Sequence, residues 1–248
     1  TSGNDFIITG NYIGGQSALC GGSSLTVNAA NGNLFQGISL SVGTTTSSSV
    51  QGNTIKNFNY TSSSNSIWQG IYISDGSVNV GTTTGNTIGA SSGTGSITVT
   101  GNAIATVVQG INFAGSGMVN IQNNIIGSIT ANNSNPAYAS NIYAINRINT
   151  GTTVISNNLI TNIIASSTST DYDQSILGIR NTTGGNCTYD NNTISNLTNN
   201  TTRTTSGTLG IVSGILSNYG ITTITNNTIY NLNNSNVNSA SSSAASVT

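Results

Sequence analysis

Histidine and glutamate are absent from this chain of 248 residues, and charged residues make up only 4% of it. Without histidine, catalysis by a nucleophile that depends on a histidine base is excluded. The formal net charge of −1 provides no basic surface for nucleic acid or for an anionic membrane, so we expect neither as a partner. The charged residues are Lys56, Arg147, Arg180, Arg203, Asp5, Asp75, Asp171, Asp173 and Asp190.

Proline and long hydrophobic runs are scarce as well. A single proline, Pro136, together with 30 glycines suits a chain with many turns and no helices. No apolar run approaches the ~20 residues that a transmembrane helix needs, so we predict no membrane insertion. Hydrophobic residues, 35% of the total, nevertheless recur at regular intervals, which is typical of a folded chain and not of a disordered one.

A short phrase, asparagine–any residue–isoleucine, recurs along the chain and is usually opened by glycine or by a second asparagine. Successive asparagines of this phrase lie 33 to 42 residues apart, and a period in this range indicates a solenoid. These asparagines are Asn11, Asn53, Asn86, Asn124, Asn158, Asn192 and Asn227.

A second phrase, centred on a glycine or alanine, keeps nearly the same period. It reads FQGISL at Phe35–Leu40 and WQGIYI at Trp68–Ile73, and its small residue recurs at Gly37, Gly70, Gly110, Ala144, Gly178 and Gly214. β-Branched residues alternate with others, as in Ile97–Thr100, which indicates strands with one buried face. No window shows helical periodicity with caps, so leucine-rich, ankyrin and tetratricopeptide repeats are disfavoured.

Strands that recur once per coil and stack on their counterparts form a parallel β-helix. We therefore predict an all-β protein, a right-handed parallel β-helix (β-solenoid) with about seven coils of ~34–35 residues. The repeated asparagine would adopt the left-handed conformation of a sharp turn, and coils ~4.8 Å apart would join its amides in a ladder. The isoleucine two residues later would point inward and form a stack that consists of Ile13, Ile55, Ile88, Ile126, Ile160, Ile194 and Ile229.

Polar stretches between the two phrases are predicted to be loops that form a ridge along one edge of the solenoid. They are Asn59–Ser66, Thr130–Ser140, Ala165–Gln174 and Thr198–Gly207. The chain opens TSGNDF without a basic segment, and neither end shows a capping element. We therefore predict that residues 1–248 form a single β-helix segment of a longer protein, uncapped at both ends.

The two cysteines, Cys20 and Cys187, are about five coils apart. Stacking at ~4.8 Å per coil would separate them by ~24 Å, whereas a disulfide requires Cα atoms within ~7 Å. We predict isolated buried thiols. Two such distant cysteines also make a zinc site improbable.

Few residues have side chains that could catalyse a reaction or bind a metal ion or ligand. Asp171 and Asp173 could ligate calcium through oxygen, but no third acid accompanies them, so we interpret them as solvated loop charges and expect no cofactor or metal. Arg147 and Arg180 could align on one face as a weak anion site. Four aromatic residues could stack on sugar rings if they are exposed, or belong to the core if they point inward: Phe35, Trp68, Tyr72 and Phe113.

Threonine-rich runs such as Thr44–Thr46 and Thr82–Thr84 raise the possibility of ice binding. An ice-binding face would need threonine at the same coil position in every repeat. The residues that precede the asparagine phrase vary widely, for example Val119–Gln122 and Val154–Ser156, which disfavours this hypothesis.

The clearest repeats, at Asp190–Leu197 and Ile224–Leu232, resemble the right-handed parallel β-helix repeats of giant secreted bacterial surface proteins. The low charge and the Ser/Thr/Asn-rich coils are similar to adhesins and filaments exported by the type IX system. The resemblance implies a β-helical fold and an extracellular, cell-surface location. It names no ligand.

The sequence thus favours a non-enzymatic structural or adhesive segment of an extracellular fibre, a rigid shaft with a polar loop ridge. The expected partners are other copies, flanking segments of the same long chain and cell-surface glycans. A carbohydrate-binding or polysaccharide-degrading β-helix is the alternative hypothesis, and an ice-binding protein is the third.

Overall fold

A computed structural model of the protein describes residues 3–63, 66–167, 174–200, 210–235 and 246–247. In chain order its first strands are β1 (Ile7–Thr9), β2 (Tyr12–Ile13), β3 (Leu25–Ala29), β4 (Asn33–Ser41), β5 (Ser48–Gln51), β6 (Thr54–Ile55), β7 (Phe58–Ser62), β8 (Ser66–Asp75), β9 (Val78–Val80), β10 (Thr87–Gly89), β11 (Ile97–Gly101) and β12 (Thr106–Phe113). They are followed by β13 (Val119–Gln122), β14 (Ile125–Asn133), β15 (Ser140–Arg147), β16 (Thr153–Ser156), β17 (Leu159–Ser167), β18 (Ser175–Asn181), β19 (Asn186–Asp190), β20 (Thr193–Asn199), β21 (Ile211–Ser217), β22 (Ile221–Thr225), β23 (Thr228–Asn234) and β24 (Ser246–Val247).

These strands wind into a parallel β-solenoid with three sheets along its length. Sheet A has the order β1-β5-β9-β13-β16-β19-β22, and sheet C has the order β4-β8-β12-β15-β18-β21-β24. Sheet B lies between them in the chain and contains the remaining strands. The solenoid makes about six turns, close to the seven predicted, and the all-β solenoid class is confirmed.

The number of residues per coil varies because of differences within sheet B. In later coils a single strand such as β14 crosses it, whereas in the first and third coils an inserted segment separates two short strands. Residues 14–24, which include the 3-10 turn Ala18–Cys20, lengthen the first coil, and residues 90–96 lengthen the third. The asparagine steps are accordingly 42 and 38 residues across these coils and 33 to 35 elsewhere.

The isoleucines of the repeated phrase occupy one position of sheet B in every coil. Ile55, Ile88 and Ile126 are paired in register, and the same pairing continues to Ile160, Ile194 and Ile229. The inner members are fully buried, while Ile229 in the last described coil is 41% exposed. Each buried isoleucine contributes roughly 1.5–3 kcal/mol through removal of apolar surface from water.

A column of glycines brings sheet C close to this isoleucine stack. A Cβ atom placed on Gly110 would lie 2.7 Å from Ile126 Cγ2 and 2.5 Å from the carbonyl oxygen of Ala144. Gly70 and Gly178 similarly approach Ile88 and Ile194, the isoleucines of the copy of the phrase that follows each glycine. The small residue of the second phrase is therefore a packing requirement.

The polar stretches are not loops over their whole length, as the sequence had suggested. Strands β7, β14, β17 and β20 run on into them, to Ser62, Asn133, Ser167 and Asn199. In these strands small or polar residues alternate with inward residues such as Tyr60 and Ala131, so one face stays buried. The turn that follows β14, residues 134–139, lies at the corner between sheets B and C. Residues 64–65, 168–173 and 201–209 are outside the described part.

Cys20 and Cys187 are both free and buried, which confirms the prediction of isolated thiols. Among the described residues, no helix is long and apolar enough to cross a membrane.

Candidate functional site

The asparagines of the repeated phrase form a continuous hydrogen-bonded column at the corner between sheets A and B. Each donates its backbone N–H and its Nδ2 to the Oδ1 atom of the next, at 2.9–3.1 Å and 2.8–3.0 Å respectively. The column runs through Asn11, Asn53, Asn86, Asn124, Asn158, Asn192 and Asn227.

From Asn53 onwards, each Nδ2 in the column also reaches back to the preceding coil. In Asn124 this nitrogen donates to the carbonyl oxygen of Val80 at 3.1 Å, and in Asn158 to that of Ile121 at 3.0 Å. One side chain therefore ties three successive coils together. These amides are almost fully buried, so their hydrogen bonds are needed to offset the cost of removing them from water.

The left-handed turn residue is not the column asparagine, contrary to our expectation. None of the column asparagines has a positive φ. In six of the seven copies the preceding residue does, with φ between 52° and 68° at Gly10, Gly52, Asn123, Asn157, Asn191 and Asn226. Glycine and asparagine tolerate this conformation best, which explains the residue that opens the phrase. The column asparagine instead keeps its side chain pointed inward to bond.

Arg147 is completely buried, which the sequence did not indicate. Its Nε donates to Thr153 Oγ1 at 3.1 Å, its Nη1 to Asn181 Oδ1 at 2.8 Å and its Nη2 to the carbonyl oxygen of Gly151 at 2.8 Å. Nη1 also donates to the carbonyl oxygen of Gly184 in the next coil at 3.0 Å. No carboxylate of the described residues forms an ion pair with it. Arg147 therefore fastens the turns of two adjacent coils through neutral oxygens.

The expected alignment of Arg147 with Arg180 is wrong. Strands β15 and β18 pair Asn146 with Arg180 and Arg147 with Asn181, so the two arginines occupy alternate positions on the strands and point to opposite faces. Arg180 lies on the outer face, half-buried, with its Cζ atom 4.7 Å from the ring centroid of Tyr143. Burial raises the pKa of Tyr143, and the positive charge of Arg180 partly offsets this rise.

Two rows of polar side chains, which we call the amide rows, follow the outer face of sheet C. In the first, Gln36 Nε2 donates to Gln69 Oε1 at 2.7 Å, and Gln69 Nε2 donates to Gln109 Oε1 at 2.5 Å. The second row consists of Tyr72, Asn112, Asn146 and Arg180 in register on successive strands. The glutamines stand in three successive copies of the second phrase, a signal in the sequence that we had not used.

Near the buried arginine lies a second group of shielded polar side chains. Burial raises the pKa of Tyr189 strongly, and the adjacent Cys187 thiol raises it further. The Oη atom of Tyr189 has no partner in hydrogen-bond geometry among the described residues. Cys187 Sγ receives a weak contact from Asn181 Nδ2 at 3.7 Å. The Tyr189 ring therefore contributes to core packing, whereas burial of its unpaired hydroxyl lowers the stability of the folded state.

The aromatic residues are divided between core and surface. Trp68 and Phe113 are completely buried, and Phe35 packs against Phe58 and Trp68 with ring centroids 4.9 and 5.6 Å apart. Only Tyr72 of the four candidates lies on the outer face, where it begins the second amide row.

Of the acidic residues in the described part, Asp75 bonds within a local turn and Asp190 bonds to the next coil. Asp75 Oδ1 accepts from the backbone N–H of Gly76 at 2.9 Å, and Asp190 Oδ1 accepts from Thr225 Oγ1 at 2.7 Å. Asp171 and Asp173, the proposed calcium ligands, lie outside the described residues. Within those residues no group of three or more His, Cys, Asp or Glu side chains could hold a metal ion.

The outer face of sheet B carries threonines in register, but not in every coil. Thr98 and Thr130 share a column with Asn59 and Ile164, which interrupt the threonine row. At the corner beyond this face, an open hollow of about 280 Å³ is lined by Asn28, Ala29, Ala30, Thr61, Ser62, Ser63, Asn102 and Ser134.

Comparison with protein-family models, curated proteins and solved structures gives no match to this chain. The described residues contain two kinds of polar array, one buried and hydrogen-bonded along the axis, the other facing outward on sheet C.

Proposed function

We propose that this chain is a non-enzymatic structural and adhesive segment of an extracellular surface fibre. The observation that supports this most is the unbroken asparagine column, in which each side chain from Asn53 to Asn192 bonds to the coil before it and the coil after it. Force applied along the axis is then shared among backbone ladders, asparagine bonds and the isoleucine stack. Such a segment acts as a rigid shaft.

The composition suits an exposed shaft. Charged residues make up 4% of the chain, so few of its surface contacts depend on ionic strength. Cooperative burial of isoleucine along the axis would resist local opening, which is the step that proteolysis requires. We propose a cell-surface location with export from the cell, in line with the resemblance of the repeats to secreted surface proteins.

Contacts with partners are proposed at the polar corner between sheets B and C. The described turns there carry Asn31, Asn102, Ser134 and Asn135, which would pair with other copies or with flanking segments through weak hydrogen bonds. Cell-surface glycans would be further partners.

Immunogold labelling of intact cells, followed by electron microscopy of surface appendages, tests this proposal. Antibodies against this segment should decorate extended fibres on unpermeabilised cells. Label that appears only after permeabilisation, or a compact soluble monomer, would contradict it. Release of reducing ends from a polysaccharide panel would contradict the non-enzymatic part and favour the degrading alternative.

A further inference from the structure

The turn between β3 and β4 contains the only asparagine–glycine pair of the chain, Asn31–Gly32. Both residues are exposed and lie between the strands. The turn is held by its carbonyl oxygens: Ser62 Oγ donates to that of Asn31 at 3.1 Å, and Tyr60 Oη donates to that of Asn33 at 2.7 Å. It is therefore anchored to the next coil by groups other than the Asn31 side chain.

Two groups of this turn have no hydrogen-bond partner among the described residues. They are the side-chain amide of Asn31 and the backbone N–H of Gly32. The nitrogen that follows an asparagine can close a five-membered ring with its Cγ atom, and an intramolecular attack of this kind gains from proximity. Glycine has no Cβ, so its backbone reaches the conformation for ring closure at the lowest cost.

No other asparagine precedes a glycine, and several are protected in further ways. After Asn133 and Asn234 the next backbone N–H donates to a carbonyl oxygen of a neighbouring coil at 2.9 Å. Asn135 precedes a proline, which has no N–H. Asn102 is exposed in a turn of the same corner, but an alanine follows it. Only Asn31 combines exposure, a free N–H and a glycine.

The reaction that these groups permit is deamidation. The Gly32 nitrogen bonds to Asn31 Cγ, the bond from Cγ to Nδ2 breaks, and the amide nitrogen leaves as ammonia with the proton of Gly32. Water then adds to either carbonyl of the cyclic imide and opens it to aspartate or isoaspartate. The balance is one water gained and one ammonia lost, so the step needs no oxidant or cofactor.

The product is a carboxylate at the corner between sheets B and C. Residues 30–32, 102–105 and 134–139, which lie in described turns of this corner, include no charged residue. An ionised group is costly to remove from water, so it opposes burial of the corner against another molecule.

We propose that Asn31 is a site of spontaneous modification, at which attack by Gly32 converts the side-chain amide to a carboxylate. The corner then gains a negative charge as the protein ages, and its contacts with other copies weaken. The modification goes beyond the proposed function and does not depend on it; only the effect on contacts does.

Incubation of the purified 248-residue chain at mildly alkaline pH, in water labelled with heavy oxygen, tests the site by peptide mass spectrometry. Residue 31 should gain about 3 Da, whereas deamidation during digestion in ordinary water adds only about 1 Da. The gain at Asn31 should be at least about tenfold faster than at Asn102, which lacks the glycine. No gain at residue 31, or equal rates at the two asparagines, would overturn the proposal.

Variants test the role of each residue. Gly32→Ala adds a Cβ and should slow the gain at residue 31 at least about tenfold, and Asn31→Gln should abolish it because its ring would need six members. Gly184→Ala, whose added Cβ meets no atom within 4 Å, is the matched control and should react at the parent rate. Circular dichroism verifies that each variant is folded. Modification of the Gly32 variant at the parent rate would contradict the proposed attack.

The unfolded chain shows what the fold contributes. In concentrated urea the N–H after Asn133 loses its carbonyl partner, so the gain at Asn133 should rise, while Asn31 stays reactive in both states. Reaction of Asn31 in urea alone would show that the folded turn protects it and would overturn the site. These measurements use purified chain, so their failure contradicts the modification alone, while missing surface label contradicts the fibre.

Discussion

Asn86 donates both its backbone N–H and its Nδ2 to the single Oδ1 atom of Asn124, at 3.0 and 2.9 Å. One side-chain oxygen thereby accepts both hydrogen bonds that Asn86 donates at the corner of the neighbouring coil. The relationship repeats along the whole column, so a single substitution affects more than one coil.

Replacement of Asn124 by alanine should destabilise the protein by about 3 kcal/mol or more, because two buried donors of Asn86 lose their acceptor. Urea unfolding followed by circular dichroism measures this change. Asn59→Ala on the exposed outer face of sheet B is the matched control and should stay within about 0.5 kcal/mol of the parent. A loss below about 1 kcal/mol in the Asn124 variant would show that the column contributes little.

A methyl group at Gly110 should be poorly tolerated. Its Cβ would lie 2.5 Å from the carbonyl oxygen of Ala144, so we expect Gly110→Ala to lower the unfolding free energy by about 1–3 kcal/mol. Gly184→Ala is the comparison, since no atom lies within 4 Å of its added Cβ. Similar melting temperatures for the two variants would refute a close-packed contact between sheet C and the isoleucine stack.

Arg147 should be essential to the turns that it joins. In Arg147→Met the buried oxygens of Asn181, Gly151 and Gly184 lose their donor, and we expect a loss of about 3 kcal/mol. Lys56→Met removes a cation without this network and should have little effect. If Arg147→Met proved as stable as the parent, the cost of burying the charge would equal the benefit of its bonds.

Stability should fall in alkaline solution. Burial raises the pKa of Tyr60, Tyr143 and Tyr189 above the ordinary value of 10.0, so the folded state holds these protons more tightly than the unfolded state. Above about pH 10 the unfolded state binds fewer protons, and the unfolding free energy therefore decreases as pH rises. Chemical unfolding at several pH values from 8 to about 12 should show this decline.

Tyr189→Phe provides the control for this titration. The substitution removes one titrating phenol and a buried hydroxyl that has no hydrogen-bond partner among the described residues. The unfolding free energy of the variant should therefore fall less steeply with pH than that of the parent. At neutral pH its stability should equal or exceed that of the parent by about 1 kcal/mol. A variant with the same alkaline decline as the parent would exclude Tyr189 as a contributor.

Much of the fold could be predicted because its determinants are local. The alternation of Ile97–Thr100 indicates a strand without reference to any partner, and the recurring small residue of the second phrase marks a position where only a small side chain fits. The strand boundaries were harder to predict. In β7 and β14 serine, threonine and asparagine looked like loop residues, but Tyr60 and Ala131 between them pack inward and extend the strand.

The site was less predictable, since it depends on which residue meets which across coils. Arg147 and Arg180 follow their small residues at three and two positions, and that difference of one sends one side chain into the core and the other outward. Nothing near Arg147 in the sequence names Thr153, Asn181 and Gly184 as its partners.

The sequence by itself determined the solenoid, because a repeated phrase at a period near that of one coil can bury its isoleucines only by stacking. Only the tertiary structure decided which partners each asparagine, arginine and glutamine side chain contacts. The register between coils sets those contacts, and a shift of one residue turns every side chain to the opposite face.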